Sequence, residues 1–344
     1  MNLPKITDLD VANKKVILRA DLDVDSPNEN DARLVAVAES VKYLAGHDAK
    51  VIIIGHKGRP DGKINKEFSL KSVCDVLSKI VGRDIDFVND LVGDMAVDAC
   101  SKLQRAQIIM LENLRFDPGE ESNDPEFAKR LASLGEYYVN EAFASSHREH
   151  ASIVGLPKML PHAVGLRFQN EVENLSKVFE SPNRPLLFIV SGIKQDKLQF
   201  VKLFEPLADK ILIGGRLPEF LGDLALESVR TQNGKTIVGN LVMDKEDITL
   251  NTIEKFEREI ERARTIVLSG PLGRFEDEGH RQGTEKVYKA VGNSNAFKVA
   301  GGGDTEDAIR LFNLEDKFDW VSVGGGAMLD FISLKTLPGI EAMK

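Results

Sequence analysis

Short apolar runs alternate along the chain with segments of helical periodicity. Each run is rich in Val, Ile and Leu and ends in glycine or polar residues, a pattern that predicts buried strands. We expect strands at Val16–Val24, Lys50–His56, Gln107–Leu114, Tyr137–Phe143, Pro185–Gly192, Lys210–Gly215, Lys235–Gly239, Thr265–Gly270, Ala296–Gly302 and Asp319–Gly325. The segment Ser69–Val81 predicts an intervening helix, with Ser69 as its N-cap. The alternation predicts an α/β fold of parallel sheets with helices on both faces.

The length of the chain, 344 residues, favours two domains over a single core. The amphipathic segment RFQNEVENLSKVFE, from Arg167 to Glu180, separates two sets of strands, and the proline-bearing break SPNRP follows it. We therefore expect an N-terminal domain over 1–165, a connecting helix over 166–181 and a C-terminal domain over 182–325. Each domain should be a doubly wound parallel sheet, with a cleft between the two.

Acidic residues outnumber basic ones by 54 to 45, which gives a net charge of −9. This charge argues against a protein that binds nucleic acid by neutralising its phosphates. Cys74 and Cys100 lack metal-ligand spacing and are typical of buried residues in a reducing compartment. No run approaches the roughly 18 apolar residues of a membrane span, and the N-terminus carries charge where a signal peptide is apolar. We expect a cytoplasmic protein without a nucleic-acid or membrane partner.

Basic residues gather where the predicted strands of the first half end. They are Arg19, Arg59, Arg115 and Arg148, with His56, His147 and His150. Ligands of open α/β sheets bind at the carboxyl ends of the strands, and guanidinium groups bind carboxylate and phosphate. A single arginine is more often a solvated surface charge, and His150 is more simply interpreted as a structural histidine. Four arginines at successive strand ends favour a site for a small, multiply charged anion.

Glycine-rich turns follow strands of the second half. Gly301–Gly303 precede a helix that opens with Asp304 and Thr305, and Gly324–Gly326 precede another helix. Such a turn offers backbone N–H groups and the positive end of a helix dipole to a phosphate, and Asp304 can hold Mg²⁺. The sequence SGIKQDKL adds two lysines that can neutralise a phosphoryl group in transfer. Tight turns and solvated lysines are the alternative interpretations. No GxGxxG fingerprint is present, which argues against an NAD-dependent dehydrogenase.

These segments, in this order, resemble the phosphoglycerate kinase family along nearly the whole chain. The first half carries GHKGRP, LENLRFDPGEE and NEAFASSHREHAS, and the second carries SGIKQDKL, LSGPLGRFE, GGGDT and SVGGGAMLDFISLKTLPGIEAM. The resemblance implies reversible phosphoryl transfer between ATP and 3-phosphoglycerate, with Mg²⁺ as cofactor, in a monomer. It also implies hinge closure of the two domains and a C-terminal segment, 326–344, that returns towards the N-terminal domain.

The resemblance implies a role for each matched residue. The N-terminal domain would bind phosphoglycerate through Asp21, Leu22, Asp23, Arg33, His56, Lys57, Gly58, Arg59, Arg115 and Arg148. The C-terminal domain would bind the nucleotide through Lys194, Lys197, Glu276, Gly302, Gly303, Asp304 and Thr305, with Asp304 supporting the metal. Catalysis would depend on Arg33, Lys197, Gly302 and Gly325.

Departures from the family pattern leave a second interpretation open. Asp23 and Ser269 each stand where the family has Asn, and Glu141 stands where it has Asp. The two lysines of SGIKQDKL are three residues apart instead of four, and the segment between Gly222 and Asn251 is short. These changes are compatible with a family member that binds anions or nucleotide with impaired turnover.

Overall fold

The computed structural model describes residues 1–221 and 234–344, so the first part of the short segment 222–251 lies outside the described residues. The chain divides into two compact units. Unit 1 comprises Met1–Glu173 and Thr336–Lys344, and unit 2 comprises Asn174–Lys335. In the part of the chain that the structure describes, no helix is long and apolar enough to cross a bilayer.

Unit 1 contains a six-stranded sheet in which all neighbouring strands are parallel. The strands are β1 (Lys15–Arg19), β2 (Lys50–Ile54), β3 (Asp86–Val88), β4 (Ile108–Leu111), β5 (Tyr137–Asn140) and β6 (His162–Val164). Their order is β3-β4-β2-β1-β5-β6, so the winding reverses between β1 and β5. The helices are α1 (Ala32–Gly46), α2 (Lys71–Val81), α3 (Asp94–Lys102), α4 (Pro118–Glu121), α5 (Pro125–Ala132) and α6 (Leu166–Glu180), the last of which crosses the boundary between the units.

Unit 2 contains a second parallel sheet of six strands in the order β12-β11-β10-β7-β8-β9. The strands are β7 (Leu186–Val190), β8 (Lys210–Ile213), β9 (Thr236–Val238), β10 (Thr265–Ser269), β11 (Phe297–Gly301) and β12 (Trp320–Ser322). The described helices are α7 (Leu198–Phe204), α8 (Leu250–Arg262), α9 (Gln282–Asn293), α10 (Gly303–Leu311) and α11 (Gly325–Leu334). Here the winding reverses between β7 and β10.

Continuous apolar runs explain the central strands. Every residue of β7 and of β10 is buried, as are Val51–Ile54 of β2. Helices cover both faces of a parallel sheet, so its inner strands need apolar residues at every position. Each fully buried Leu, Ile or Val contributes about 1.5–3 kcal/mol relative to exposure. The predicted α/β class, with two doubly wound parallel sheets, is confirmed.

The observed elements differ from the predicted ones mainly at their ends. The predicted strands run too far because their last glycine and polar residues belong to the loops that carry the strand-end side chains. Two strands, β3 and β6, were not predicted; each is a three-residue edge strand, too short for an alternating pattern. Helix α2 begins at Lys71 with Leu70 at the N-cap position. Ser69 Oγ accepts from Lys71 N at 3.3 Å and donates to Glu112 Oε2 at 2.7 Å. Ser69 therefore precedes the N-cap, and its side chain contacts the first residue of the helix.

Helix α6 begins against a buried carboxylate, that of Glu141. Its Oε1 accepts from Ser40 Oγ at 2.6 Å and Arg167 N at 3.0 Å, and its Oε2 accepts from Phe168 N at 3.0 Å. A Cβ on Gly165 would overlap this carboxylate, so the glycine makes room for the longer acid. Burial raises the pKa of Glu141 to about 7. The departure from Asp at this position therefore places a partly titrated cap at the start of the helix that joins the units.

The segment 336–344 adds helix α12 (Pro338–Glu341) to unit 1. Gly339 N donates to Ser146 O at 2.9 Å, and Leu337, Ile340 and Met343 are buried. This segment therefore packs behind the loop that follows β5.

Candidate functional site

The loops at the carboxyl ends of the unit 1 strands are tied together through Asp23 and Gly58. Asp23 Oδ1 accepts from Gly58 N at 2.8 Å, and the main-chain oxygen of Asp23 accepts from Arg33 Nη1. Gly58, which has a φ of +62°, in turn accepts at its oxygen from Arg115 Nη1 at 2.7 Å. These contacts join the loops that follow β1, β2 and β4 at the carboxyl ends of the strands, the edge at which open α/β sheets bind ligands.

Arg19 lies beneath this site instead of lining it. Its side chain is fully buried, because the last residue of β1 points into the layer covered by α4 and the following turns. Nε donates to Ser152 Oγ at 2.9 Å, and Nη2 contacts His56 Nδ1 at 2.8 Å. Ser152 Oγ donates to Glu120 Oε1 at 2.6 Å, and the Glu120 carboxylate is fully buried as well. The expectation that Arg19 contributes to an open anion site is therefore wrong; it is a buried support paired through Ser152 with Glu120.

His56 presents a defined hydrogen-bond donor. An arginine can only donate, so His56 Nδ1 accepts from Arg19 and the ring proton lies on Nε2. Burial holds the pKa of His56 well below its usual value, and the charges of Arg19, Arg115 and Arg148 add to this effect. Nε2 lies 3.7 Å from Asp23 Oδ2. His56 is therefore a neutral imidazole that offers an N–H beside Asp23.

The pKa shifts also locate the remaining basic groups. Burial, together with the charges of Arg19, Arg115, Arg148 and His147, lowers the pKa of His150 to about 3. Arg148 Nε donates to His147 Nε2 at 3.2 Å. The charges of Arg115 and Arg148 act on both His56 and His150, so these two guanidinium groups lie near the imidazoles. Arg33 joins the same loops through its hydrogen bond to the main-chain oxygen of Asp23. We call Arg33, His56, Arg115 and Arg148 the anion cluster.

The other residues predicted for this site differ in how far their side chains are exposed to solvent. Asp21 is buried, and its carboxylate accepts from Ala144 N at 3.0 Å and Ser145 Oγ at 3.2 Å. The side chain of Leu22 is fully buried, so only its backbone is able to meet a ligand. Lys57 is buried, whereas Arg59 is exposed. The predicted set thus combines groups at the surface with groups that shape the loops.

In unit 2 a cavity of about 330 Å³ lies at the carboxyl ends of β7 and β10. We call it the glycine pocket. It contains most residues predicted for the nucleotide, namely Lys194, Lys197, Gly302, Gly303, Asp304 and Thr305, together with Gly325, which was predicted as catalytic. Ser269, Gly270 and Gly192 also line it, although the sequence did not single out either glycine as a site residue. Their positive φ values, +92° and +118°, show that these turns require glycine directly after a strand.

The two glycine turns pack directly against each other in this pocket. Helix α10 begins at Gly303 after Gly302, whose φ is +112°, and helix α11 begins at Gly325. A Cβ on Gly325 would lie 2.5 Å from Gly302 Cα and 2.8 Å from Gly302 N. Two helix N-termini therefore open onto one cavity, and their unpaired N–H groups and dipoles favour an anion there.

The two lysines of the pocket have different surroundings. Lys197 reaches back to the end of β7, where Nζ donates to Ser191 O at 2.9 Å and lies 3.5 Å from Ser269 Oγ. Burial lowers the pKa of Lys197, while the nearby Asp304 opposes that shift. Lys194 is exposed and lies in the loop, four residues beyond the last residue of β7. As predicted, Lys197 follows Lys194 by one helical turn, the 3₁₀ turn at Gln195–Lys197. The expectation that Lys194 lies closer to the strand is wrong, because this turn brings the Lys197 side chain back to Ser191 at the strand end.

A second cavity of about 510 Å³, the outer pocket, shares Ile193 and Asp304 with the glycine pocket. Its wall contains Pro271, Leu272 and Phe275, and Glu276 is among its polar residues. Arg216 and Glu246 also line it and were not predicted, because no motif marks them. An apolar wall with a few polar groups is typical of a small-molecule site.

Among residues 1–221 and 234–344, no cluster of three or more His, Cys, Asp or Glu is arranged to hold a metal ion. Asp304, at the second position of α10, is exposed and lines both pockets. A single carboxylate beside a phosphate site matches the way proteins bind Mg²⁺, which keeps waters and takes further oxygens from the phosphates. The residues present therefore fit a magnesium ion that arrives with a nucleotide.

Comparisons with known proteins agree along the whole chain. The family model of phosphoglycerate kinase matches residues 6–229 and 223–335. Phosphoglycerate kinases of Finegoldia magna and Coprothermobacter proteolyticus are 35% and 36% identical, and each alignment covers 100% of this chain and 99% of the relative. Solved phosphoglycerate kinases from Coxiella burnetii and Pyrococcus horikoshii superpose with TM-scores of 0.84 and 0.87 at 31% and 28% identity. They cover 99% of this chain and 99% and 98% of their own.

Proposed function

The chain belongs to the phosphoglycerate kinase family, and on this premise we propose that it transfers a phosphoryl group reversibly between ATP and the carboxylate of 3-phosphoglycerate. The observation that carries the proposal is the glycine pocket. There two helix N-termini, a half-buried lysine and an exposed carboxylate converge on one cavity. Phosphoryl transfer needs positioning and charge neutralisation more than covalent chemistry, and these groups supply both.

The roles of individual residues follow from their surroundings. The arginines of the anion cluster would bind the negatively charged groups of 3-phosphoglycerate. The N–H of His56 and the carboxylate of Asp23 would bind its uncharged hydroxyl group. Asp21, Leu22, Lys57, Gly58 and Arg59 would complete that site. A catalytic role of Arg33 is supported by its hydrogen bond to the main-chain oxygen of Asp23, which holds the guanidinium at the loops of this site.

The nucleotide would occupy the two pockets of unit 2. The outer pocket would take the base and ribose, with Glu276 near the ribose, and the glycine pocket would take the phosphates. Amide groups at Gly302, Gly303 and Gly325 would donate to phosphate oxygens, while Thr305 holds the turn because its Oγ1 accepts from Gly270 N at 2.8 Å. Lys197, with Lys194 near it, would neutralise the group in transfer. Asp304 would hold Mg²⁺, which supplies positive charge to the phosphates when bound.

A coupled assay with 3-phosphoglycerate and MgATP tests the proposed activity. We expect turnover that depends on both substrates and that falls strongly in Arg33→Ala, in which the fold should persist. Binding of MgADP without turnover would contradict the proposal and would favour an impaired family member. Hinge closure, a monomeric state and a cytoplasmic location, which family membership implies, stay predictions.

A further inference from the structure

One histidine, His280 in the loop after β10, contacts two carboxylates at once. His280 Nδ1 lies 2.8 Å from Asp277 Oδ2, and Nε2 lies 2.9 Å from Asp244 Oδ2. A carboxylate only accepts hydrogen bonds, so both contacts are satisfied only when both ring nitrogens carry protons. The geometry is therefore that of an imidazolium, and the two carboxylates raise the pKa of His280 accordingly.

The two carboxylates belong to different segments of the pocket wall. Asp244 lies in a turn closed by the pairing of Leu241 with Ile248, and that turn supplies Glu246 to the outer pocket. Asp277 lies in the loop after β10, which supplies Gly273–Glu276 to the same pocket. A backbone hydrogen bond from Arg274 N to Glu246 O, 2.9 Å long, also joins the segments. His280 is the ionic link between them.

Other charged groups around the link have partners of their own. The Asp247 carboxylate accepts from Ile248 N at 2.7 Å and Gly283 N at 2.9 Å, and Lys245 Nζ pairs with Glu219 at 3.0 Å. Arg281 faces Glu278 and Glu285. The Gly279 N–H and then His280 lower the pKa of Asp277, and the charge of Arg274 contributes less. None of these groups takes the place of the His280 proton between Asp277 and Asp244.

We propose that His280 is a positioning residue for the nucleotide: as an imidazolium it joins the segments 241–248 and 271–281 and fixes the pocket wall. This inference rests on the proposed function, which places a nucleotide in the outer pocket. A neutral ring has one N–H, so one nitrogen lone pair would face a carboxylate and the link would weaken. Part of the binding free energy would then be spent on ordering the wall. Because the pKa is raised, the link is present at low pH and lost as pH rises through that pKa.

The test compares wild type with His280→Gln, with His47→Gln as a control on an exposed histidine of unit 1. The KM for MgATP and the Kd for MgADP would be measured from about pH 6 to pH 9, with kcat and the KM for 3-phosphoglycerate beside them. At the lowest pH, His280→Gln should weaken nucleotide binding about two- to fivefold, the range of exposed ion pairs. At the highest pH, the KM for MgATP and the Kd for MgADP of His280→Gln should approach the wild-type values. Its kcat and its KM for 3-phosphoglycerate should equal those of wild type throughout.

A second variant, Asp244→Asn, distinguishes titration of His280 from a general loss of structure. Asp244→Asn removes one negative partner, so the midpoint of the nucleotide pH profile should shift to lower pH, in step with the His280 ring signal in NMR. A ratio of His280→Gln to wild type that is the same at every pH, or an unshifted midpoint in Asp244→Asn, would overturn the proposal. If the enzyme turns over but the difference in nucleotide binding between His280→Gln and wild type is the same at every pH, the kinase activity is supported and the His280 link is refuted. If there is no turnover but MgADP binding shows the expected pH dependence, the link is supported and the kinase activity is refuted.

Discussion

The contact between the two glycine turns gives a sharp prediction for Gly325→Ala. The added Cβ would lie 2.5 Å from Gly302 Cα, about 1 Å short of an ordinary 3.4 Å contact, and the obstructing atoms are backbone. Gly325 does not lie in the left-handed region, so alanine is allowed in conformation and only the contact opposes it. The turns must therefore move apart by up to about 1 Å.

The cost should appear in both stability and turnover. Overpacking of a well-packed contact typically destabilises by about 1–3 kcal/mol. A displacement of about 1 Å at a site that orients the reacting groups can reduce kcat about 100-fold. Urea unfolding midpoints and the coupled kinase assay measure the two effects.

Gly326→Ala is the matched control for stability, since Gly326 is the next residue of the same helix and no atom lies within 4 Å of its Cβ position. Gly326 also lines the glycine pocket, so the control applies to the unfolding midpoint and not to turnover. Alanine there should leave stability unchanged or raise it by about 0.5–1 kcal/mol. If both variants unfold at the same urea concentration, then the turns are not in contact as described, and the steric argument fails.

Three further predictions concern single side chains. Lys197→Ala should lower kcat at least about tenfold more than Lys194→Ala, because only Lys197 is held at the strand end. Steady-state kinetics measures this loss, and the KM for 3-phosphoglycerate should not change. A larger loss of kcat in Lys194→Ala would contradict the prediction. Asp304→Ala should depress kcat and weaken the Mg²⁺ dependence while the unfolding midpoint stays near wild type, and normal Mg²⁺ dependence would exclude its metal role. Glu141→Gln should remove a pH dependence of stability. Since the native pKa is about 7 against 4.5 for the free acid, wild type should lose stability as pH rises across that interval, and the variant should not. If the urea midpoints of wild type and Glu141→Gln change with pH in the same way, the Glu141 prediction is refuted.

The architecture was predictable because it depends on local patterns. Inner strands of a parallel sheet are apolar at every position, and this marks β7 and β10 clearly in the sequence. Edge strands such as β3 lack that mark, since Asp86 is exposed and only three residues pair. The order of strands in each sheet required the structure, because pairing partners lie far apart in the chain.

The candidate site was predictable where glycine and arginine motifs follow strands, and unpredictable where side-chain direction decides. Nothing in RADLD shows that Arg19 points inward to Ser152 while Asp23 faces the loops. The path of Lys197 back to Ser191 depends on a three-residue 3₁₀ turn that has no sequence signature. Glu141 was recognised as a departure, yet its place at the start of α6 became evident only from contacts with Ser40 and Phe168.

The composition of unit 1 from two separate stretches has a consequence for biosynthesis. Unit 2 is continuous in the chain, whereas Thr336–Lys344, which belong to unit 1, are translated after all of unit 2. Domains generally fold as units while the chain emerges from the ribosome. Unit 2 can therefore finish folding while the loop that carries Ser146 still waits for its partner Gly339. The unit translated first is thus the one completed last.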